Sequence, residues 1–181
     1  MINNIEEFFP KGRMIPVATN SVGETDILGL EISHELCEKG ESVYYFSIAQ
    51  TNERLKRQDE KIRKSRCSIY SYKFNVNDKA RVTVQDLVSE IGKGEDDVYV
   101  IDFFQLIHVE PNELNSWMEM AKHVCPQLEQ IAKDRNIRII LLTQFPQLGS
   151  TQEEKREHYL FHFNYPPASN TLIEIDLNDM Q

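Results

Sequence analysis

The feature that most constrains the fold is a regular alternation of short apolar strands with longer amphipathic helices. Predicted strands cover 14–18, 42–48, 69–74, 98–101 and 137–143, and predicted helices cover 25–39, 52–64, 84–91 and 113–134. Strands that alternate with helices in this way predict an α/β domain with a largely parallel central sheet flanked by helices. Gly40 directly follows the predicted helix over 25–39 and is well placed to end it.

The last part of the chain follows a different pattern. Residues 159–164 and 172–177 alternate in polarity around the turn-like stretch 166–170, and they predict an antiparallel strand pair at the C-terminal end. A length of 181 residues fits one domain over 1–181 with a substantial core.

Composition narrows the classes of function. The net charge of −9 argues against tight non-specific binding to nucleic acid, because that energy comes from Lys and Arg contacts to phosphates. The cationic run over 56–66 leaves a local nucleic-acid surface open, although such runs are usually solvated helix faces. No stretch has transmembrane length and the N-terminus lacks a signal peptide pattern, so we expect a cytoplasmic protein with no membrane partner. The three cysteines are predicted to be reduced.

The first strand leads through a loop into the first helix, as in a phosphate-binding loop of the form G-x-x-x-x-G-K-[ST]. Gly23 and Thr25 occupy the last glycine and the threonine of that pattern, but Ala18 stands at the first glycine and Glu24 at the lysine. The candidate residues of this degenerate loop are Asn20, Ser21, Val22, Gly23, Glu24 and Thr25. A glutamate at the lysine position would repel the phosphates that a lysine attracts.

Two later strands end in polar residues that suit the same chemistry. The apolar strand over 98–101 ends in Asp102, the arrangement in which a carboxylate supports Mg²⁺ beside the threonine of the phosphate loop. Thr25 and Asp102 are therefore the candidate metal ligands if a nucleotide binds. Gln144 follows the next strand and is a possible sensor of the γ-phosphate.

In these runs the sequence resembles the RecA-like motor domain of DnaB-type replicative helicases. The matching segments are Val43–Ile48 with V-x-F-F-S-L-E-M, Val100–Ile107 with V-I-D-Y-L-Q-L-I, Leu128–Ile137 with L-K-x-L-A-K-E-L-N-V, and Ile140–Gln144 with the strand that ends in S-Q. The resemblance covers about residues 10–144 and implies a RecA-like P-loop NTPase fold.

The departures from the family pattern are as informative as the matches. The catalytic glutamate of the family falls at Ala49, which cannot activate a water. Glu24 replaces the phosphate lysine, and no K-x-R-x-G stretch carrying the arginine finger follows the last strand. The resemblance therefore implies a pseudo-ATPase with no confident catalytic residue and no confident cofactor.

Three hypotheses remain open at this point. The first is a non-catalytic interaction module that binds a helicase-like motor or itself and is linked to DNA replication or recombination. The second is a residual ATP- or ADP-binding protein or slow ATPase, dependent on Mg²⁺ and of low affinity, with Glu24 or Asp26 as a replacement base. The third is a single-stranded nucleic-acid binder that uses the run over 56–66. Candidate anchors for a protein partner are Phe8, Phe9, Trp117, Met118 and Met120, although such residues usually pack inward.

Overall fold

The computed structural model describes residues 8–19, 22–48, 57, 70–72, 82–102, 104–109 and 117–144. Five strands and three α-helices are found in these ranges. The strands are β1 (Arg13–Thr19), β2 (Val43–Ser47), β3 (Tyr70–Tyr72), β4 (Val98–Asp102) and β5 (Arg138–Gln144). The helices are α1 (Val22–Glu38), α2 (Val84–Lys93) and α3 (Trp117–Arg135), and a 3₁₀ turn covers Phe104–Leu106.

The strands form one sheet in the order β1-β5-β4-β2-β3, and every neighbouring pair is parallel. β1 and β2 are consecutive in the chain but are separated in the sheet by β5 and β4. The α/β prediction with a largely parallel sheet is therefore confirmed. Because all the strands run the same way, their carboxyl ends meet at one edge of the sheet and their amino ends at the other.

Both faces of the sheet are covered, and β5 shows how the sequence achieves this. Ile140 and Leu142 face α1 and join one apolar cluster, whereas Ile139 and Leu141 lie in a second cluster on the other face, with α2 and α3. Successive strand residues point to opposite faces, so a continuous apolar run buries side chains on both sides. All four residues are fully buried.

Helix α1 ends in a glycine-dependent turn. Gly40 has a φ of +87°, a conformation that L side chains rarely adopt. The Gly40 amide donates to the Cys37 carbonyl, and the Glu41 amide donates to the Leu36 carbonyl, the bonding pattern of a Schellman motif. The prediction that Gly40 ends this helix is confirmed.

One further prediction is corrected by the structure, and two others fall outside the described residues. Cys37 takes part in a disulfide bond, so the prediction that all three cysteines are reduced is wrong for this residue. Cys125 is a free, buried thiol whose pKa is raised to about 12 by burial and by the nearby Glu129 charge. The helix predicted over 52–64, apart from residue 57, and the C-terminal strand pair lie outside the described residues.

Charged side chains tie four segments together at the amino edge of the sheet. Lys11 Nζ lies 3.1 Å from Asp97 Oδ1 and 3.5 Å from Glu41 Oε2, and Arg138 Nη1 lies 2.6 Å from Glu41 Oε1. Arg138 is buried, and its Nε donates to the Phe9 carbonyl. Phe9 itself is fully buried in the core, so it does not serve as a surface anchor for a partner.

Candidate functional site at the carboxyl edge of the sheet

The carboxyl edge brings together residues that are far apart in the sequence. Thr19 of β1 pairs with Gln144 of β5, and Ser47 of β2 pairs with Asp102 of β4. Because β5 and β4 are neighbours in the sheet, the ends of four strands form one continuous row. In open parallel sheets this edge is where ligands bind. The predicted site residues Asp102 and Gln144 thus lie on the same edge.

The predicted phosphate loop leads into α1 at this edge. Asn20 and Ser21 lie outside the described residues, and only the backbone of Val22, Gly23 and Glu24 is described. The helix begins at Val22, three residues before the predicted start, so Gly23 and Glu24 lie in its first turn. Thr25 follows on α1 and its side chain is fully buried.

Asp102 is the best defined polar residue of the edge. It is fully buried, and the Tyr45 hydroxyl donates a hydrogen bond to Asp102 Oδ2 over 3.1 Å. The Ile48 amide donates to the Asp102 carbonyl, which continues the pairing of β2 and β4 by one residue. A buried carboxylate requires such donors, since an unpaired charge in the interior is costly.

Sequence reasoning missed Tyr45 as a functional candidate. Its hydroxyl has room because Gly29 of α1 faces it: a Cβ on Gly29 would lie 2.8 Å from the Tyr45 hydroxyl and 2.4 Å from Leu142 Cδ1. The available signal was the residue type, since a buried tyrosine in a strand usually has a partner for its hydroxyl. Nothing in the sequence identified Asp102 as that partner.

A second hydrogen bond joins β5 to the segment after β4. Gln105 Nε2 donates to Thr143 Oγ1 over 2.8 Å, and Thr143 is fully buried. Gln105 belongs to the 3₁₀ turn, and Thr143 is the residue before Gln144. This bond therefore holds the segment that follows Asp102 against the end of the strand that carries Gln144.

The remaining predicted site residues are only partly defined. Ala49 lies outside the described residues, and for Gln144 the backbone alone is described. The oxygens of Thr25 and Asp102 are of the type that Mg²⁺ prefers, so the donor chemistry fits that ion. Within the ranges that the structure describes, no group of three or more His, Cys, Asp or Glu side chains is arranged to hold a metal. In the same ranges no helix is long and apolar enough to cross a membrane.

The amino-edge cluster consists of Lys11, Glu41, Asp97 and Arg138. It does not belong to this site, because it lies at the opposite ends of the strands. Its effect is electrostatic. Burial alone would raise the pKa of Asp97, but hydrogen bonds from Lys11 and from the Ser42 amide and hydroxyl lower it overall. The Asp97 hydrogen bond in turn raises the pKa of Lys11.

The site and the sheet order can be compared with known proteins. The model of the DnaB-like helicase C terminal domain matches residues 31–159, well over half of the chain. The chain belongs to this family. The match begins within α1, after the predicted phosphate loop, and it includes β2, β4, Asp102 and β5. No curated protein sequence matches the chain.

Solved structures agree on the fold. The ATPase domain of G40P superposes with a TM-score of 0.59 at 16% identity, over 81% of this chain and 62% of that one. A DnaB-like replicative helicase, described with its interactions with primase, gives 0.60 at 15% identity, over 82% and 43%. The RadB recombinase gives 0.50 at 13% identity, over 83% and 72%.

The superpositions confirm the RecA-like fold that the sequence predicted, and the family model confirms the predicted relationship to DnaB-type helicases. At such low identity the superpositions establish the architecture alone. The chain spans about three fifths of the G40P domain and under half of the DnaB-like helicase.

Proposed function

We propose that this protein is a non-catalytic, DnaB-helicase-like module that acts through protein contacts in DNA replication or recombination. We further propose that residues 1–181 form one RecA-like domain. The observation that carries the proposal is Glu24, at the lysine position of the phosphate loop and in the first turn of α1. Two unit charges about 4 Å apart interact by roughly 4 kcal/mol at an effective dielectric of 20, so a glutamate there strongly disfavours bound phosphate.

The second support is Ala49 at the catalytic glutamate position that the resemblance implies. Phosphoryl transfer depends on positioned charges and on a group that orients the nucleophile. Without the lysine and the glutamate, the retained Thr25 and Asp102 would bind Mg²⁺ at most. We therefore infer a pseudo-ATPase whose fold is kept for assembly.

A motor or replication protein is the partner that this reading favours. The DnaB-like helicase that superposes on the chain is described with its interactions with primase. By analogy, we propose that this domain binds a helicase-like motor or a second copy of itself.

A second candidate function is residual, Mg²⁺-dependent nucleotide binding. The observation that favours it is the placement of Asp102 and Gln144 on one edge of the sheet, next to the start of α1. In this reading ATP or ADP with Mg²⁺ binds weakly, and Glu24 or Asp26 takes the place of the missing base.

Calorimetric titration with ATP and ADP, with and without Mg²⁺, separates the two functions. The non-catalytic module predicts no binding heat up to millimolar nucleotide and no phosphate release above background. Micromolar, Mg²⁺-dependent binding that is lost in Asp102→Asn would overturn it in favour of the nucleotide-binding protein.

The partner is tested by light scattering after size-exclusion chromatography of the protein mixed with a DnaB-type helicase from the same source. We expect a complex larger than either component, or self-association of the protein alone. Strict monomers that elute apart from the helicase would contradict the interaction role.

A further inference from the structure

The Asp102 carboxylate lies at the point where three elements meet. It ends β4, it is paired in register with Ser47 of β2, and the α1 residue Gly29 faces the tyrosine that contacts it. Asp102 and Tyr45 are fully buried, with a relative exposure of 0% each, and Gly29 is buried as well. The orientation of this carboxylate is therefore fixed by protein groups.

We propose that Tyr45 is a positioning residue for Asp102. Its hydroxyl occupies the space that Gly29 leaves between α1 and the sheet, and it donates to Asp102 Oδ2 over 3.1 Å. A hydrogen bond to a charged acceptor is among the stronger polar contacts in a protein interior. One carboxylate oxygen is thereby held, which restricts the rotation of the whole carboxylate at the end of β4.

Gly29 leaves the space that the Tyr45 hydroxyl occupies. A Cβ at position 29 would lie 2.8 Å from the hydroxyl and 3.3 Å from Tyr45 Cε2, so a larger residue would displace the hydroxyl from Asp102. A phenylalanine at position 45 would keep the aromatic ring and remove the hydroxyl that donates to Asp102. The Tyr45 hydroxyl thus donates to the Asp102 carboxylate, whereas the Tyr45 ring packs in the core.

Tyr99 provides a matched control. It is another almost fully buried tyrosine of the same sheet, but its hydroxyl accepts a hydrogen bond from the Asp96 amide over 3.3 Å, near the amino edge. Tyr99→Phe removes a buried tyrosine hydroxyl, as Tyr45→Phe does, and it does so at the far end of β4 from Asp102.

The test is carbon-13 NMR of the full-length protein labelled at the aspartate carboxyl and the tyrosine ring carbon that bears the hydroxyl. Asp102→Asn and Tyr45→Phe assign the two resonances by their loss. We expect Tyr45→Phe to shift the Asp102 carboxyl resonance more than the carboxyl resonance of any other aspartate. Tyr99→Phe should leave the Asp102 resonance unchanged. Reciprocally, Asp102→Asn should move the Tyr45 resonance and spare that of Tyr99. An Asp102 resonance that stays in place in folded Tyr45→Phe would overturn the proposal; if that variant does not fold, an unmoved Tyr45 resonance in Asp102→Asn would do so.

A functional measurement separates positioning from mere packing. This arm alone rests on the nucleotide-binding function proposed above. If the protein binds ATP with Mg²⁺, Tyr45→Phe should weaken the Mg²⁺-dependent part of the affinity about tenfold, the equivalent of one charge-assisted hydrogen bond, and leave the affinity in EDTA unchanged. An equal loss with and without Mg²⁺ would contradict positioning. No ATP binding by the unaltered protein would dismiss the nucleotide function, and the NMR result would still decide the role of Tyr45.

Discussion

At the scale of single residues, Gly29 is a position where one added methyl group would disturb the packing of α1 on the sheet. In a helix interior, Gly→Ala ordinarily stabilises by about 1 kcal/mol. At Gly29 the new methyl group would meet Leu142 Cδ1 at 2.4 Å and the Tyr45 hydroxyl at 2.8 Å. Overpacking a core typically costs about 1–3 kcal/mol, so we expect Gly29→Ala to lower the free energy of unfolding by about 1–2 kcal/mol.

The matched control for this change is Gly92→Ala in α2, where a Cβ would meet nothing within 4 Å. That variant should gain stability, by up to about 1 kcal/mol. Urea unfolding of both variants measures the two signs side by side. If Gly29→Ala were as stable as Gly92→Ala, α1 would not approach the sheet as closely as described.

Glu24 is the second residue whose replacement is informative. We expect Glu24→Lys to increase ATP affinity, because it exchanges a repulsion of the phosphates for an attraction. It should not restore hydrolysis, since the family resemblance aligns Ala49, which cannot act as a base, with the catalytic glutamate. Calorimetry and a phosphate-release assay measure the two effects separately.

Glu38→Lys makes the same change of charge at the exposed C-terminal end of α1 and serves as the control. It should leave the ATP affinity unchanged. A Glu24→Lys protein that still fails to bind ATP would indicate that the loop backbone itself is incompetent.

At the scale of elements, α2 is held at both ends by side chains. At its start Thr83 Oγ1 accepts from the Asp86 amide over 3.1 Å, and Asp86 Oδ2 accepts from the Thr83 amide over 2.9 Å, a complete capping box. At its end the Arg135 guanidinium of α3 donates to the carbonyls of Ile91 and Gly94. Backbone groups at both ends of this short helix thus have side-chain partners, and Arg135 ties the end of α2 to α3.

We expect Thr83→Ala to cost about 1 kcal/mol of stability, because the first turn of α2 loses its cap. Thr83→Ser keeps the hydroxyl and should retain most of that stability. Hydrogen exchange of the α2 amides, measured with chemical denaturation, tests this directly. Equal stability of the alanine and serine variants would mean that the cap contributes nothing.

At the scale of the whole molecule, the two edges of the sheet carry different sets of side chains. The amino edge joins the segment before β1 to β4 and β5 through Lys11, Glu41, Asp97 and Arg138. The carboxyl edge carries Asp102 and Gln144. We expect the amino edge to contribute to stability in acid, because the pKa of Asp97 is lowered there by hydrogen bonds from Lys11 and Ser42.

The sign of that dependence follows from linkage. The pKa of Asp97 is lowered in the folded protein, so its contribution is present above the unfolded value and is lost as the pH falls through the folded one, below about 4. The neighbouring Asp96 has a raised pKa, through burial and the charge of Asp97, so its ionised form costs stability at neutral pH.

We therefore expect Asp97→Asn to lower the free energy of unfolding at pH 7 and to flatten its decline below about pH 4. Asp96→Asn should have the opposite sign at pH 7 and raise the stability. Urea unfolding of both variants from about pH 3 to about pH 7 measures the difference. This range extends to either side of the reference pKa of aspartate. Two variants with the same sign would contradict the described cluster.

The sequence by itself determined the architecture and the family. Apolar runs such as Val98–Ile101 are typical of strands buried on both faces, and their alternation with helices indicates a parallel sheet. The polar residues that end these strands were predictable as candidates, since carboxyl ends share an edge. Gly40 was predictable because a local turn depends on neighbours in the chain.

Tertiary structure alone decided which side chains meet. The Tyr45 hydroxyl reaches Asp102 only because β2 and β4 pair in one register and because Gly29 of a third element leaves room. The amino-edge ion pairs likewise join residues from four separate segments. Local pattern cannot encode such contacts, because they depend on the order β1-β5-β4-β2-β3 and on distances between elements far apart in sequence. Periodicity fixes which face of a strand is buried, but only packing fixes what each buried polar atom touches.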